Sequence, residues 1–140
     1  VYPASCMRLA NTTHVFAKRM QEAGYTLTPL QFAAMDAIAA DPGIDQASVA
    51  AKIAYDRATI GGVIDRLVQR EYVARNVNER DRRARELRLT QVGARFYENV
   101  LPVVEGVQRE ILQELTSDER ETFLGLASQV VSAAASETKG

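Results

Sequence analysis

The feature that most constrains the fold is one pair of alternating segments, YVARNV at 72–77 and ARELRLT at 84–90. In each segment apolar and polar residues alternate, as they do in a β-strand with one buried face. The six residues between them, NERDRR, are all polar or charged, as expected of an exposed turn. We therefore predict a single β-hairpin with a charged tip in a chain that otherwise shows helical periodicity.

Two short helices are predicted immediately before the hairpin. The first covers about 46–53, and the second begins after Asp56, which is suited to cap its N-terminus. The buried side of the second helix is an apolar stripe of five residues: Ile60, Val63, Ile64, Leu67 and Val68. Two short helices followed by a hairpin are typical of a winged helix-turn-helix, in which the second helix enters the DNA major groove.

The residues before this unit predict two further helices. The first spans 4–23 and ends at Gly24. Thr28 caps the second helix, which opens on a proline and has Gln31 in place to complete a capping box. This helix stops at the sequence DPG, and a short strand is expected at Ile44.

After the hairpin, Thr90 caps a long helix predicted over 91–115, which should be kinked by the proline at position 102. Thr116 and Glu119 form a further capping box that opens the last helix. We expect this helix to end at Val131 and the small, polar tail to fray.

The predicted fold class is therefore mainly α with a small β-hairpin wing. A winged helix-turn-helix at 28–90 lies between an N-terminal helix at 1–27 and C-terminal helices at 91–140. The two outer segments carry more apolar surface than the small central unit can cover, so they are predicted to form a helical dimerisation region.

A net charge of only −1 hides a basic middle. Between Lys52 and Arg88 the chain has ten basic and six acidic residues, and nine of the ten are arginines. Four of these arginines, at 80, 82, 83 and 85, lie at or beside the hairpin tip and repel one another. A solvated loop is the simplest interpretation of such a run. Binding to a polyanion would relieve the repulsion and release counterions, and together with the helix pair this favours nucleic acid.

Gly61 and Gly62 are adjacent inside the second short helix, where each costs roughly 1 kcal/mol relative to alanine. Residues this costly indicate that something approaches the helix backbone closely. For Gly61 the approaching group is either DNA, which we favour slightly, or the preceding helix. For Gly62 the two interpretations are not separated.

Other classes of protein lack their sequence features. With Cys6 as the only cysteine an internal disulfide is excluded, which fits a cytoplasmic protein. No apolar run approaches the ~20 residues that a membrane-spanning helix needs. There is no phosphate-binding glycine loop, no nucleophile paired with a base, and too few histidines and cysteines for a zinc site. We therefore predict neither an enzyme nor a bound metal or cofactor.

The segment DRATIGGVIDRLVQREYVARNVNERDRRARELRLTQVGARF resembles the MarR family of bacterial transcriptional regulators. Its most specific parts are Asp-Arg-Arg-Ala at 81–84 and Leu-x-Leu-Thr-x-x-Gly at 87–93. The resemblance covers essentially the whole chain. It implies a homodimer that places two recognition helices in successive major grooves of a pseudo-palindromic operator, roughly 34–36 Å apart.

The resemblance also assigns roles to individual residues. Arg57, Thr59 and Gly61 match the base-facing start of the recognition helix, and Arg66 matches a later residue that reaches phosphate. At the wing, the expected DNA-binding residues are Arg80, Asp81, Arg82 and Arg83. Among these, Asp81 matches the acid that orients the minor-groove arginine at 83 or 82. Arg75 and Arg88 lie on the strands, where a structural role is the alternative.

Family members often release DNA when an aromatic carboxylate or phenol binds between the dimerisation helices and the winged helix. Arg8, Asn11 and His14 lie three apart on the first helix and form one polar row, as in phenolic-acid-responsive members. Arg8 is suited to pair with a carboxylate and His14 to bond a ring hydroxyl, while Phe32 and Met35 offer apolar walls. The alternatives are solvated or subunit-linking roles for Arg8 and His14, and core positions for Phe32 and Met35.

The sequence therefore predicts a dimeric, sequence-specific DNA-binding regulator, a repressor released by a small aromatic acid or phenol. One alternative is a thiol-based redox sensor that uses Cys6, although an inert buried cysteine fits that position better. A winged helix that binds protein is the other alternative. It would not need arginines both at the wing tip and at the start of the recognition helix.

Overall fold

The structure is a computed structural model that describes residues 12–53, 55–77, 79–80 and 85–138. Within these residues it contains helices and one two-stranded antiparallel sheet. In chain order the elements are α1 (Thr12–Glu22), α2 (Pro29–Ala40), α3 (Gln46–Lys52), α4 (Arg57–Gln69), β1 (Val73–Val77), β2 (Arg85–Leu89), α5 (Gln91–Ile111) and α6 (Ser117–Thr138). The predicted class, mainly α with a small β-hairpin, is confirmed.

The predicted helix caps are present. Thr28 and Gln31 form the expected capping box, because each side chain bonds the other residue's backbone N–H at 3.1 Å. Asp56 accepts from the N–H of the third residue of α4, and the Thr90 hydroxyl accepts from that of α5. The Thr116 capping box opens α6. Each cap satisfies backbone donors that have no partner inside the helix.

The core lies where α2 packs against α4, β2 and α5, with α1 lying against α5. Met35 and Ile38 of α2 and Ile60 and Ile64 of α4 are completely buried at its centre. Leu67 is also completely buried, while Val63 and Val68 are half-buried at the edge of the same stripe. The stripe predicted for α4 therefore does face the core, and it fixes which side of α4 faces outwards.

The hairpin pairs Val73 with Leu89 and Val77 with Arg85. Ile44, where a short strand was expected, is not in a strand, but its carbonyl accepts from the N–H of Leu87 at 2.9 Å. The N–H of Gly43 donates to the carbonyl of Leu87, also at 2.9 Å. The segment before α3 therefore holds β2 by a local, ladder-like pairing that is too short to form a strand.

Two predicted helix ends are wrong. The helix that begins at Gln91 ends at Ile111, short of the predicted Leu115, and it is continuous through Pro102. The last helix continues past Val131 to Thr138. The residues after Val131 include three consecutive alanines, and alanine has the highest helix propensity. Along the described chain no helix has both the length and the apolar character needed to cross a membrane.

Candidate nucleic-acid interface

The outward side of α4 presents polar and basic side chains. Arg57, Thr59 and Arg66 are exposed, whereas Ile60 and Ile64 on the other side of the helix are completely buried. The core therefore fixes the rotation of α4 about its axis and keeps the first turn accessible. A helix start that exposes an arginine, with a second exposed arginine near the helix end, is the arrangement expected of a helix that enters a major groove.

The first turn of α4 is held rigid by Asp56 and Thr59. One carboxylate oxygen of Asp56 accepts from the Thr59 N–H at 2.8 Å, and the other accepts from the Thr59 hydroxyl at 2.6 Å. The bonds from the Thr59 hydroxyl and from its N–H lower the pKa of the Asp56 carboxyl below its usual value. Asp56 is therefore ionised near neutral pH, the form in which both of its oxygens bond Thr59.

Gly61 lies against the preceding helix. A Cβ atom at Gly61 would come within 3.0 Å of the Gln46 side-chain nitrogen on α3, whereas a Cβ at Gly62 would meet no described heavy atom within 4 Å. The Gln46 amide is the end of a flexible side chain that can move aside, so packing against α3 does not by itself require the glycine at position 61. No packing within the described chain accounts for the one at 62.

The sequence did not predict an ion pair that joins α4 to the hairpin. The Arg75 guanidinium on β1 donates to the Asp65 carboxylate on α4 at 2.6 Å, and the Arg75 side chain is only 24% exposed. Its Nε is buried and has no hydrogen-bond partner among the described residues. The two residues are ten positions apart on different elements, so no local pattern could have indicated the contact. On the other strand, Arg88 is exposed and lies 3.8 Å from Glu86.

Of the predicted wing residues, Arg80 is described and exposed. Asp81, Arg82 and Arg83 lie outside the described residues. Arg85, the first residue of β2, is also exposed. Val73 on β1 and Leu87 on β2 are the buried members of the two strands, whereas Arg80 and Arg85 at either side of the predicted tip are exposed.

Three of the five residues predicted to bind an effector are described by the structure. Arg8 and Asn11, like Cys6, lie outside the described residues. His14 on α1 is exposed, and Phe32 on α2 is half-buried. Met35 is completely buried, so in this structure it belongs to the core.

Phe32 is part of an aromatic row that the sequence did not predict. Its ring stacks on that of Tyr97 from α5, with centroids 5.8 Å apart, and lies 6.4 Å from that of Phe16. The Tyr97 hydroxyl donates to the Asp36 carboxylate at 2.5 Å. Burial and this carboxylate raise the pKa of Tyr97 to about 12. Among the described residues there is no group of three or more His, Cys, Asp or Glu side chains that could hold a metal ion.

The comparisons with known proteins agree with this geometry. The model of the MarR family matches residues 25–84, which span the helix-turn-helix and the first strand of the hairpin and end just before β2. The transcriptional regulator HosA of Escherichia coli O111:H- is 32% identical over 107 residues, covering 76% of this chain and 79% of HosA. The transcriptional repressor NicR of Pseudomonas putida KT2440 is 28% identical over 125 residues, covering 89% of this chain and 79% of NicR.

Solved structures show the same fold. A probable transcriptional regulator from Pseudomonas aeruginosa superposes with a TM-score of 0.81 at 28% identity, over 89% of this chain and 91% of that one. BpsR of Bordetella bronchiseptica, whose DNA binding is regulated by 6-hydroxynicotinic acid, gives a TM-score of 0.81 at 24% identity, over 93% and 96% of the two chains. The helix pair, the hairpin and the similarity to these relatives together define a winged-helix transcriptional regulator that binds DNA. The chain belongs to the MarR family.

Proposed function

We propose that the protein is a dimeric repressor that binds a pseudo-palindromic operator. In each subunit α4 enters a major groove, and the hairpin tip lies along the adjacent minor groove. The observation that carries this proposal is the fixed orientation of α4, whose buried stripe leaves Arg57, Thr59 and Arg66 facing outwards. A repressing role is supported by the similarity to the repressor NicR.

The charges of this surface suit a phosphate backbone. Arg66 is exposed near the end of α4, and Arg80 is exposed beside the hairpin tip. We assign to Arg82 and Arg83 the minor-groove contact and to Asp81 the orientation of their guanidinium groups. Arginine presents a planar set of donors that can bond two phosphate or base oxygens at once. A protein in this role acts in the cytoplasm, where bacterial DNA lies.

Dimerisation is supported by the exposed apolar side chains of α6. Phe123, Leu124, Leu126 and Val130 are each between 37% and 69% exposed, although they are large and apolar. A cluster of this kind on one helix marks a surface that another chain covers. We assign that cover to a second copy, with the helical segments at 1–27 and 91–140 of both subunits interlocked around a DNA-binding unit at 28–90.

We assign the effector site to the space between these outer helices and the winged helix. An open groove of about 230 Å³ there is lined by Phe16, Pro29, Phe32, Val104, Val107, Gln108 and Ile111. Its apolar wall, with the Phe32 ring half-buried in it, suits an aromatic ring. Arg8, Asn11 and His14 would supply polar partners for a carboxylate or hydroxyl group, with Met35 behind the wall.

The DNA-binding proposal is tested with a duplex enriched from a random-sequence pool by the full-length protein. Arg66→Gln is compared with Arg109→Gln, which removes the same charge from an exposed site on α5. Affinity is measured by fluorescence anisotropy at several salt concentrations. If Arg66 contacts phosphate, its loss should reduce the slope of log K against log[salt] by about one per contact, while Arg109→Gln leaves the slope unchanged. Equal slopes for the two variants, or a monomer in sedimentation, would contradict the proposal.

The effector proposal is tested on the same complex. A panel of aromatic carboxylates is screened for thermal stabilisation of the protein, since a ligand that binds the folded state stabilises it in proportion to the logarithm of concentration over Kd. Hits are then added to the DNA complex. We expect a hit to weaken DNA binding, Arg8→Ala to abolish that response, and Lys18→Ala to preserve it. A normal response in Arg8→Ala would remove Arg8 from the site.

A further inference from the structure

We propose that Thr59 is a specificity-determining residue that presents its methyl group, rather than its hydroxyl, to the 5-methyl group of a thymine in the major groove. This inference rests on the proposed use of α4 as the helix that enters the groove. It adds a particular base and a particular atom to that function.

The Thr59 hydroxyl is already committed within the protein. It donates its proton to one Asp56 carboxylate oxygen at 2.6 Å, while the Thr59 N–H donates to the other at 2.8 Å. A hydroxyl has one proton, and a hydrogen bond to a carboxylate is about twice as strong as one between neutral groups. Donation to an acceptor on a base edge would therefore break a strong bond and free one oxygen of the helix cap.

With its proton committed, the hydroxyl can only accept from a base, and the other group that the side chain offers to DNA is its methyl group. The residue is exposed in the first turn of α4, between the exposed Ala58 and the buried Ile60. Since the oxygen is directed towards Asp56, the methyl carbon occupies a different staggered position around Cβ. Among the four bases, the only apolar group on a major-groove edge is the thymine methyl, and threonine methyl groups are suited to contact it.

The expected contribution is modest and measurable. Burying one methyl group changes affinity about fourfold, the factor that corresponds to about 0.8 kcal/mol. Replacing a thymine by uracil removes only this methyl group and leaves all hydrogen-bonding groups of the base pair in place. A thymine-to-uracil scan of the pool-selected duplex should therefore find a position in each half-site where affinity for the wild-type protein falls about fourfold.

Two variants assign that effect to one atom of Thr59. Thr59→Ser keeps the hydroxyl for Asp56 but lacks the methyl group, so the uracil penalty at that position should disappear. Thr59→Val keeps a methyl group and lacks the hydroxyl, so the penalty should persist. Circular dichroism and thermal melts check that both variants fold. Their salt slopes should equal that of the wild type, since the contact is with a base and not with phosphate.

A further duplex provides a gain of affinity. Where the sensitive T·A pair is exchanged for C·G, 5-methyl-dC in place of dC should restore part of the lost affinity for the wild type and none for Thr59→Ser. A full uracil penalty in Thr59→Ser, or no penalty at any thymine for the wild type, would overturn the role of Thr59 and leave the DNA-binding proposal standing. Failure of the protein to enrich any duplex from the pool would overturn both.

Discussion

Replacing Gly93 with alanine should destabilise the protein by several kcal/mol, because the first turn of α5 lies directly on the backbone that leads into β1. A Cβ atom at Gly93 would come within 1.9 Å of the Tyr72 carbonyl oxygen and 2.7 Å of its carbonyl carbon. These are backbone atoms, so no side-chain rotation can relieve the clash. The two segments would have to separate by about 1.5 Å to reach an ordinary van der Waals distance.

That separation would break the contacts that surround the position. The Thr90 N–H donates to the Tyr72 carbonyl at 3.0 Å, and the Thr90 hydroxyl donates to the Glu71 carbonyl at 2.5 Å. The Tyr72 and Phe96 rings stack with centroids 4.3 Å apart. Lost hydrogen bonds of about 1 kcal/mol each, a weakened ring pair and the cost of overpacking together give about 3–5 kcal/mol. This is a large part of the ~5–15 kcal/mol that stabilises a typical domain.

The free energy of unfolding is obtained from urea denaturation followed by far-UV circular dichroism, with all variants at one protein concentration. Gly62→Ala is the matched control, because a Cβ there meets no described heavy atom within 4 Å. It should stabilise the protein by about 0.5–1 kcal/mol through helix propensity alone. If Gly93→Ala unfolds within 1 kcal/mol of the wild type, the close packing of α5 on the Tyr72 backbone is not what holds the hairpin in place.

Three further predictions concern single contacts. Glu71 has a φ of 64°, a left-handed conformation that glycine adopts without strain. Urea melts should therefore show that Glu71→Gly raises the free energy of unfolding by about 1 kcal/mol and that Glu71→Ala does not. Asp65→Asn and Arg75→Gln should each lower the free energy of unfolding by about 1 kcal/mol, and the double variant should lose no more than either single variant. If the two losses add up in the double variant, the ion pair contributes nothing to stability. Because the pKa of Tyr97 is raised to about 12, the stability that its protonated form contributes is complete below pH 10 and is lost as the pH rises through 12. Tyrosinate absorbance should therefore show one group titrating late in the wild type and not in Tyr97→Phe; no late group would refute the Asp36 contact.

The parts of the fold that the sequence predicted are those set by neighbouring residues. A cap such as Thr28 or Asp56 acts on an N–H three positions away, and the stripe of α4 follows from helical periodicity. Contacts between distant segments left no such pattern. Asp65 meets Arg75, and Tyr97 meets Asp36, only because the tertiary fold brings their elements together.

The same distinction between local pattern and distant contact applies to Gly61 and Gly93. Helix propensity showed that Gly61 was costly, but not whether DNA or α3 was the close neighbour, since propensity contains no information about tertiary partners. Gly93 was noted in the sequence only as the last residue of the Leu-x-Leu-Thr-x-x-Gly motif, which does not indicate a tertiary contact. It is nonetheless the glycine with the closest backbone contact among those described.

The contacts around this position join the first turns of the long helix to the base of the hairpin. Thr90 joins the end of β2 to the start of α5, and its N–H and hydroxyl bind the two residues that precede β1. Phe96, one turn into α5, stacks on Tyr72, and the Arg70 guanidinium lies 4.9 Å above the Tyr72 ring. Both strands of the hairpin are thus fixed at their bases to the first turns of α5. Arg75 then fixes β1 to α4 through Asp65. Contacts therefore run without a break from the first turns of α5 through the hairpin to α4, the helix that carries Thr59 and Arg66.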